Sequence, residues 1–304
     1  MTARPVIRLS FRHFWRGFEW RRHFGFLDEH FEIVESDDPE FVIFSVFVDG
    51  KNARRMPVFD SRACRIFYTP ENVLPDMSDC EFAFGFAPEA EIACERYRRL
   101  PNYPLRLWAS GFASKELRKP ELDVDQVLAG KRHFCNFIYS NPRCAVRNEF
   151  FARLSRYKRV DAPGVVCNNM PAIPRPGSYA DVAPKLDFIR SYKFTIAFEN
   201  ESARGYTTEK VVEPMLVHSL PIYWGDPLVG RDFETRSFIN YHDACRDLDD
   251  LVEQVVAADR DDRLYAQYLR QPYLTGNQLT PQLERECVAG WFARIFAAGR
   301  SLGA

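Results

Sequence analysis

The sequence has no apolar run long enough to cross a membrane, and no apolar segment of a signal peptide follows its basic N-terminal residues. Its formal net charge at pH 7 is only −1, so no overall positive field attracts a nucleic acid. These absences predict a cytoplasmic protein that does not bind nucleic acid. Peripheral attachment at the inner membrane is the alternative location.

Metal and disulfide signatures are also missing. The eight cysteines form no CxxC pair and have no regular spacing, which excludes a zinc knuckle and a disulfide framework and predicts reduced thiols. The six histidines include no two at metal-ligand spacing on one helix face. The sequence therefore predicts no metal centre.

Short runs rich in valine, isoleucine and phenylalanine alternate with stretches of helical period, a pattern typical of α/β layers with mainly parallel strands. The predicted strands are residues 5–11, 31–35, 41–47, 64–68, 80–86, 132–139, 194–198 and 220–224. A polar, proline-containing segment interrupts the series near 110–130, and a chain of 304 residues is long enough for two domains. We predict an N-terminal domain of residues 1–128 and a C-terminal domain of residues 131–280.

The last residues, 281–304, predict a helix with one apolar face. Its large apolar side chains recur at helical spacing and are Val288, Trp291, Phe292, Ile295 and Phe296. We expect this helix to pack back across the domains. Arg294 and Arg300 beside the aromatic residues leave contact with a membrane surface as the alternative.

Residues 194–210, FTIAFENESARGYTTEK, change abruptly from apolar to polar. The apolar part predicts a buried strand, and ligands of doubly wound sheets lie beyond the carboxyl ends of the strands. Thr207 or Thr208 can cap a helix that begins at Glu209, and the free N–H groups of such a helix, with Lys210, attract a phosphate. The alternative is an ordinary capped helix with solvated charges.

The stretch KFTIAFENESARGYTTEK, at 193–210, resembles the donor-binding motif of family 10 glycosyltransferases, the α1,3/4-fucosyltransferases. Three further stretches resemble the same family in the same order: RIFYTPEN at 65–72, RYRRLPNY at 96–103 and FIYSNPRCAVRNEFF at 137–151. The resemblance implies a GT-B fold, in which two Rossmann-like domains face each other across a cleft. It also implies transfer of fucose from GDP-β-L-fucose with inversion of the anomeric centre.

The resemblance assigns roles to individual residues. It implies Glu71 as the general base, and its donor-binding residues are Arg147, Asn200, Tyr206, Glu209 and Lys210. Arg147 and Lys210 would balance the charge of the departing GDP without a metal, and no Asp-x-Asp pair follows a predicted strand, so no cofactor is expected. Glu201 and Glu209 match a spacing of retaining enzymes, which by itself is weak evidence for retention.

The acceptor is expected to be a glycan, and the 3-hydroxyl of N-acetylglucosamine in a lipopolysaccharide or Lewis-type structure is the specific prediction. A related transferase that uses another GDP-hexose, a non-catalytic module that binds nucleotide sugars, and a membrane scaffold are the alternatives. Clustered aromatic residues in FRHFWRGFEW, at 11–20, suit either stacking on an acceptor sugar, with His13 beside them, or packing in the core. The oligomeric state stays open.

Overall fold

A computed structural model describes residues 3–59, 61–119, 121–174 and 181–302. The chain forms two compact units, one of Met1–Ser114 with Thr280–Ala304 and one of Lys115–Leu279. The boundary therefore falls earlier than the position between 128 and 131 indicated by the sequence. The physical reason is the helix Val124–Gly130, whose Val124 is buried in the core of the second unit.

The strands of both units run as follows, in chain order: β1 Val6–Arg12, β2 Glu32–Glu35, β3 Phe41–Phe44, β4 Phe47–Val48, β5 Lys51–Asn52, β6 Cys64–Tyr68, β7 Phe82–Gly85, β8 Tyr97–Arg99, β9 His133–Asn136, β10 Val160–Asp161, β11 Tyr192–Phe198, β12 Leu220–Trp224 and β13 Ile239–Asn240. Each of the eight strands predicted from the sequence overlaps one of these. The α/β class is confirmed.

The α-helices are α1 Trp20–Phe24, α2 Glu89–Ile92, α3 Asn102–Ala109, α4 Val124–Gly130, α5 Ala145–Tyr157, α6 Ala183–Arg190, α7 Glu209–Leu216, α8 Tyr241–Ala244, α9 Leu248–Arg260, α10 Asp262–Arg270 and α11 Arg285–Leu302. Side-chain caps define several of their starts. Asp123 accepts a hydrogen bond from the main chain at the start of α4, and Asp247 does so at the start of α9.

The described residues of the first unit form a six-stranded parallel sheet in the order β2-β1-β3-β6-β7-β8. All four residues of β3 are buried, because a strand of a parallel sheet is covered on both faces. The register joins Arg12 of β1 to Phe44 of β3 and Phe44 to Phe67 of β6. These three strands therefore end side by side along one edge of the sheet.

Helix α11 packs on the first unit. Its predicted apolar face is buried, with Phe292 at 0% and Phe296 at 2% exposure, and the Phe292 ring centroid lies 4.8 Å from that of Phe84. At Gly299 a Cβ atom would lie 2.4 Å from the Phe41 ring, so only glycine permits this approach. The apolar stripe that suggested membrane contact is thus covered by protein. The crossing of this helix to the second domain remains a prediction.

The second unit contains, among its described residues, a five-stranded parallel sheet in the order β10-β9-β11-β12-β13. Strand β11 is buried along nearly its whole length, as its continuous apolar sequence predicts. The strand order reverses between β9 and β11. Ligands of doubly wound sheets bind beyond the carboxyl ends of the strands at such a point, so the segments after β9 and β11 are the first place to look for a site.

Candidate active site

Arg147 lies in the first turn of α5, which follows β9, and its side chain is completely buried. Its Nη1 donates to Asn200 Oδ1 at 2.9 Å, and its Nη2 donates to the carbonyl of Asn141 at 2.5 Å. The guanidinium also lies 3.8 Å above the ring centroid of Tyr139. These contacts hold the side chain in one orientation at the end of the sheet.

The charge of Arg147 is not neutralised by its neighbours in the described chain, because its hydrogen bonds go to an amide oxygen and a main-chain carbonyl. Its Nε is buried and makes no hydrogen bond to any described residue. A buried guanidinium with an unused N–H group and no carboxylate partner is suited to bind an anion. The predicted residues Arg147 and Asn200 are thus brought into direct contact.

Strand β11 ends at Phe198, and the next residue, Glu199, has a fully buried carboxylate. Its Oε1 accepts from the Thr208 main-chain N–H at 2.8 Å, and its Oε2 accepts from the Thr208 hydroxyl at 2.7 Å and from Lys210 Nζ at 3.2 Å. Glu199 therefore ties the end of β11 to the start of α7. Burial raises the pKa of Glu199, an effect that Lys210 opposes.

Lys210 and Glu209 form the first turn of α7, with Lys210 Nζ lying 3.6 Å from Glu209 Oε1. Burial disfavours the ammonium form, but the carboxylates of Glu199 and Glu209 outweigh it and raise the pKa of Lys210 well above its ordinary value. Tyr206, which is 3% exposed, also raises the pKa of Lys210. The structure thus places the Lys210 ammonium group in the first turn of α7, paired with the carboxylates of Glu199 and Glu209.

Asp226, two residues after the end of β12, is a second buried carboxylate at this edge of the sheet. It accepts from the Gly205 main-chain N–H at 2.7 Å and from the Thr207 hydroxyl at 2.9 Å, and it thereby fixes the segment that carries Tyr206. At Gly225 a Cβ atom would lie 2.4 Å from Glu199 Cγ, so this glycine gives Glu199 its space. Sequence reasoning gave no role to Glu199 or Asp226, although each is an acidic residue within two positions of the end of an apolar strand.

Glu71 belongs to the first unit, three residues after the end of β6. It is half-buried, and its main-chain N–H donates to the Thr69 hydroxyl at 3.1 Å. The position is the carboxyl-terminal edge of that sheet, where functional residues of parallel sheets are found. Its role as a base stays a prediction.

Metal-ligand spacing occurs, within the described residues, at Glu29, His30 and Glu286, whose candidate ligand atoms lie within 4.8 Å of one another. His30 Nε2 is 3.4 Å from Glu286 Oε2, and the Glu286 side chain is 76% exposed. This arrangement is typical of a surface ion pair. We assign no metal to it.

The fold resembles that of several solved structures. A crystal structure of an α1,3-fucosyltransferase matches with a TM-score of 0.75 and 24% identity, covering 96% of this chain and 90% of that one. A crystal structure of an α1,3-fucosyltransferase with GDP-fucose matches with a TM-score of 0.75 and 23% identity. This match covers 97% of this chain and 91% of that one. Anabaena HepE with UDP-glucose matches more distantly, with a TM-score of 0.51 and 8% identity over 96% of this chain and all of that one. These matches show a GT-B fold.

Two family models match most of the chain and identify its family. Residues 128–280 match the C-terminal model of glycosyltransferase family 10 (fucosyltransferase), and residues 9–106 match the N-terminal domain model of α-(1,3)-fucosyltransferase FucT. The chain belongs to glycosyltransferase family 10.

Curated relatives agree with this placement. The chain is 28% identical to the α-(1,3)-fucosyltransferase FucT of Helicobacter pylori over 79% of its own length and 54% of that protein. It is 32% identical to a putative fucosyltransferase of Acanthamoeba polyphaga mimivirus over 53% of its length and 27% of that protein. The chain thus spans about half of the first relative and less of the second. In the described residues, no helix is both long and apolar enough to cross a membrane.

Proposed function

We propose that the protein transfers L-fucose from GDP-β-L-fucose to a hydroxyl group of a glycan, with inversion at the anomeric carbon. The observation that carries the proposal is Arg147, a buried guanidinium with an unused Nε and without a carboxylate partner in the described chain. It follows β9, while Lys210 and the N-terminus of α7 follow the neighbouring strand β11. A diphosphate is the anion that can use all three sources of positive potential.

These residues would act on the leaving group. As the glycosidic bond to fucose breaks, negative charge develops on the β-phosphate of GDP, and Arg147 with Lys210 would stabilise it without a metal. Because Glu199, Asn200 and Asn141 hold the two cations in place, little reorganisation is needed when the charge appears. Tyr206 and Glu209 complete the proposed donor contacts, with Glu209 assigned to the nucleoside.

Glu71 would act on the acceptor. A carboxylate in its ionised form can take the proton of a sugar hydroxyl while its oxygen attacks the anomeric carbon. A single displacement of this kind converts a β-linked donor sugar into an α-linked product. The proposed acceptor is the 3-hydroxyl of N-acetylglucosamine, in keeping with the α-(1,3) linkage named for the Helicobacter pylori relative. A cytoplasmic location is part of the same proposal.

Incubation with GDP-fucose and N-acetyllactosamine, in the presence of EDTA, tests the function. We expect a fucosylated trisaccharide whose new anomeric proton has the α configuration in the NMR spectrum. Parallel reactions with GDP-mannose examine the alternative of another GDP-hexose. GDP binding without any transfer would favour the non-catalytic module, and activity only after addition of magnesium or manganese would contradict the proposed role of Arg147 and Lys210.

A further inference from the structure

An aromatic cluster follows β1 and keeps part of its surface in water. We define it as Phe14, Trp15 and Phe18, which are all half-buried. The Phe14 and Phe18 rings stack with centroids 3.9 Å apart and planes inclined by 12°, and the Trp15 ring meets Phe18 edge-on at 4.9 Å. Neighbouring Phe24, by contrast, is completely buried. Packing alone therefore leaves aromatic surface of this cluster uncovered.

The cluster lies along the same edge of the sheet as Glu71. Arg12, the last residue of β1, pairs with Phe44, and Phe44 pairs with Phe67, four residues before Glu71. Two strand spacings separate β1 from β6, which amounts to about 10 Å. That distance is comparable with the span of a disaccharide. One sugar at Glu71 would thus bring its neighbour towards the aromatic cluster.

The backbone at the start of this loop is in an unfavourable conformation. His13, the first residue after β1, has a φ of 58°, in the left-handed region that side chains other than glycine seldom adopt. A hydrogen bond of 2.8 Å from the Phe47 main-chain N–H to the His13 carbonyl holds it there. A left-handed residue turns the chain sharply at this point. Strand β1 therefore ends at Arg12, shortly before the aromatic residues.

Exposed apolar residues also occur in the segments that follow β3 and β6. Val48 and Val58, after β3, are 41% and 71% exposed, and Leu74, after β6, is 53% exposed. Contiguous apolar surface in water marks a binding site more often than single exposed residues do. The loops after β1, β3 and β6 thus all present apolar surface at the edge that holds Glu71.

We propose that the aromatic cluster is an acceptor subsite, in which Trp15 and Phe18 stack against the sugar next to the one that receives fucose. The proposal rests on the fucosyltransferase function above. A pyranose such as β-galactose presents C–H groups on one face and hydroxyls at its rim, which matches an aromatic ring bordered by water. The acceptor class is accordingly an oligosaccharide of at least two sugars, not a free monosaccharide.

Steady-state kinetics with N-acetyllactosamine and N-acetylglucosamine test the subsite. We expect Trp15→Ala to raise the KM for the disaccharide about tenfold, to change the KM for the monosaccharide little, and to leave GDP affinity unchanged, while Trp15→Phe keeps most of the disaccharide affinity. Trp291→Ala is the matched control, because Trp291 is a half-buried tryptophan of the same unit on α11. A lower melting temperature with an unchanged disaccharide KM would assign the cluster to packing and overturn the proposal.

A binding measurement keeps the test independent of activity and of folding of the alanine variant. The protein has five tryptophans, so labelling with 5-fluorotryptophan gives a simple ¹⁹F spectrum in which the Trp15 signal is identified by its loss in Trp15→Phe. We expect N-acetyllactosamine to shift this signal and not that of Trp291. A shift without fucosyl transfer would refute the proposed function while supporting the subsite, and an unmoved Trp15 signal at saturating disaccharide would overturn the subsite.

Discussion

Lys210 Nζ lies 3.2 Å from Oε2 of the fully buried Glu199, and the two residues join the end of β11 to the first turn of α7. The same carboxylate accepts both the main-chain N–H and the hydroxyl of Thr208. Glu199 thus fixes the position of the cation and the N-terminus of the helix together. The buried charge of Glu199 is compensated by Lys210, whereas Arg147 has no carboxylate partner among the described residues.

The first prediction is that Glu199 and Lys210 are strongly coupled. Glu199→Gln and Lys210→Met should each destabilise the protein by about 3 kcal/mol, because Lys210→Met leaves the buried Glu199 without its cation and Glu199→Gln leaves Lys210 with only Glu209. The double variant should lose clearly less than the sum, and urea denaturation of the four proteins measures the difference. Additive losses would show that the pair does not act as a unit.

The second prediction concerns Asp226, which accepts hydrogen bonds from Gly205 and Thr207. Asp226→Asn keeps the shape but replaces one acceptor by a donor, so the segment that carries Tyr206 should loosen. We expect a loss of about 1–3 kcal/mol in stability and weaker GDP binding by calorimetry. Asp76→Asn is the control, since Asp76 accepts from Ser78 in an exposed turn and should change neither quantity. Unaltered GDP affinity in Asp226→Asn would remove its role in positioning Tyr206.

Helix α11 gives the third prediction. Phe292 is completely buried against Phe24 and Phe84, so Phe292→Ala should destabilise the protein by about 3–5 kcal/mol. Arg294→Ala, at an exposed position of the same helix, should have little effect on the melting temperature. Neither variant should alter sedimentation with anionic vesicles. The reverse pattern, in which Phe292→Ala melts normally but loses vesicle binding, would restore the membrane interpretation of this helix.

Acid sensitivity is the fourth prediction. Burial lowers the pKa of His23 from 6.5 to about 4, although the carbonyl of Glu19 acts in the opposite direction. The folded protein therefore favours the neutral imidazole, and the unfolded chain binds a proton more readily below pH 6.5. His23 should therefore contribute about 3 kcal/mol to the stability that is lost as the pH drops from 6.5 to 4. Denaturation curves of His23→Gln should lack much of this loss, while His133→Gln, which removes an exposed imidazole, should retain it.

The predicted strands were close to those observed where burial extends along the strand. Residues 64–68 and 220–224 match β6 and β12 at both ends, because their apolar runs are bounded by polar or glycine residues. The short strands β8 and β13 were missed, since two or three residues carry no periodic pattern. The domain boundary differed because α4 packs on residues that lie far along the chain, which local composition does not reveal.

The site was predictable only in part. The motif identified the charged residues, and the structure joins Arg147 to Asn200 and Glu209 to Lys210. The supporting residue Asp226 was not predicted, because its partners Gly205 and Thr207 lie about twenty positions away and meet it only when β11 and β12 pair. Contacts of this kind depend on the tertiary fold and leave no local signal.

The most direct test of the account is a comparison of Glu71→Gln with the unmodified protein, using GDP-fucose and N-acetyllactosamine for turnover and GDP for calorimetry. Removal of a general base that is worth about 10²–10⁴ in rate should lower kcat by that factor, while GDP affinity, set by residues of the second unit, stays the same. The unmodified protein should give only the α-linked product. Full activity of Glu71→Gln, or a β-linked product, would contradict an inverting transfer with Glu71 as the base.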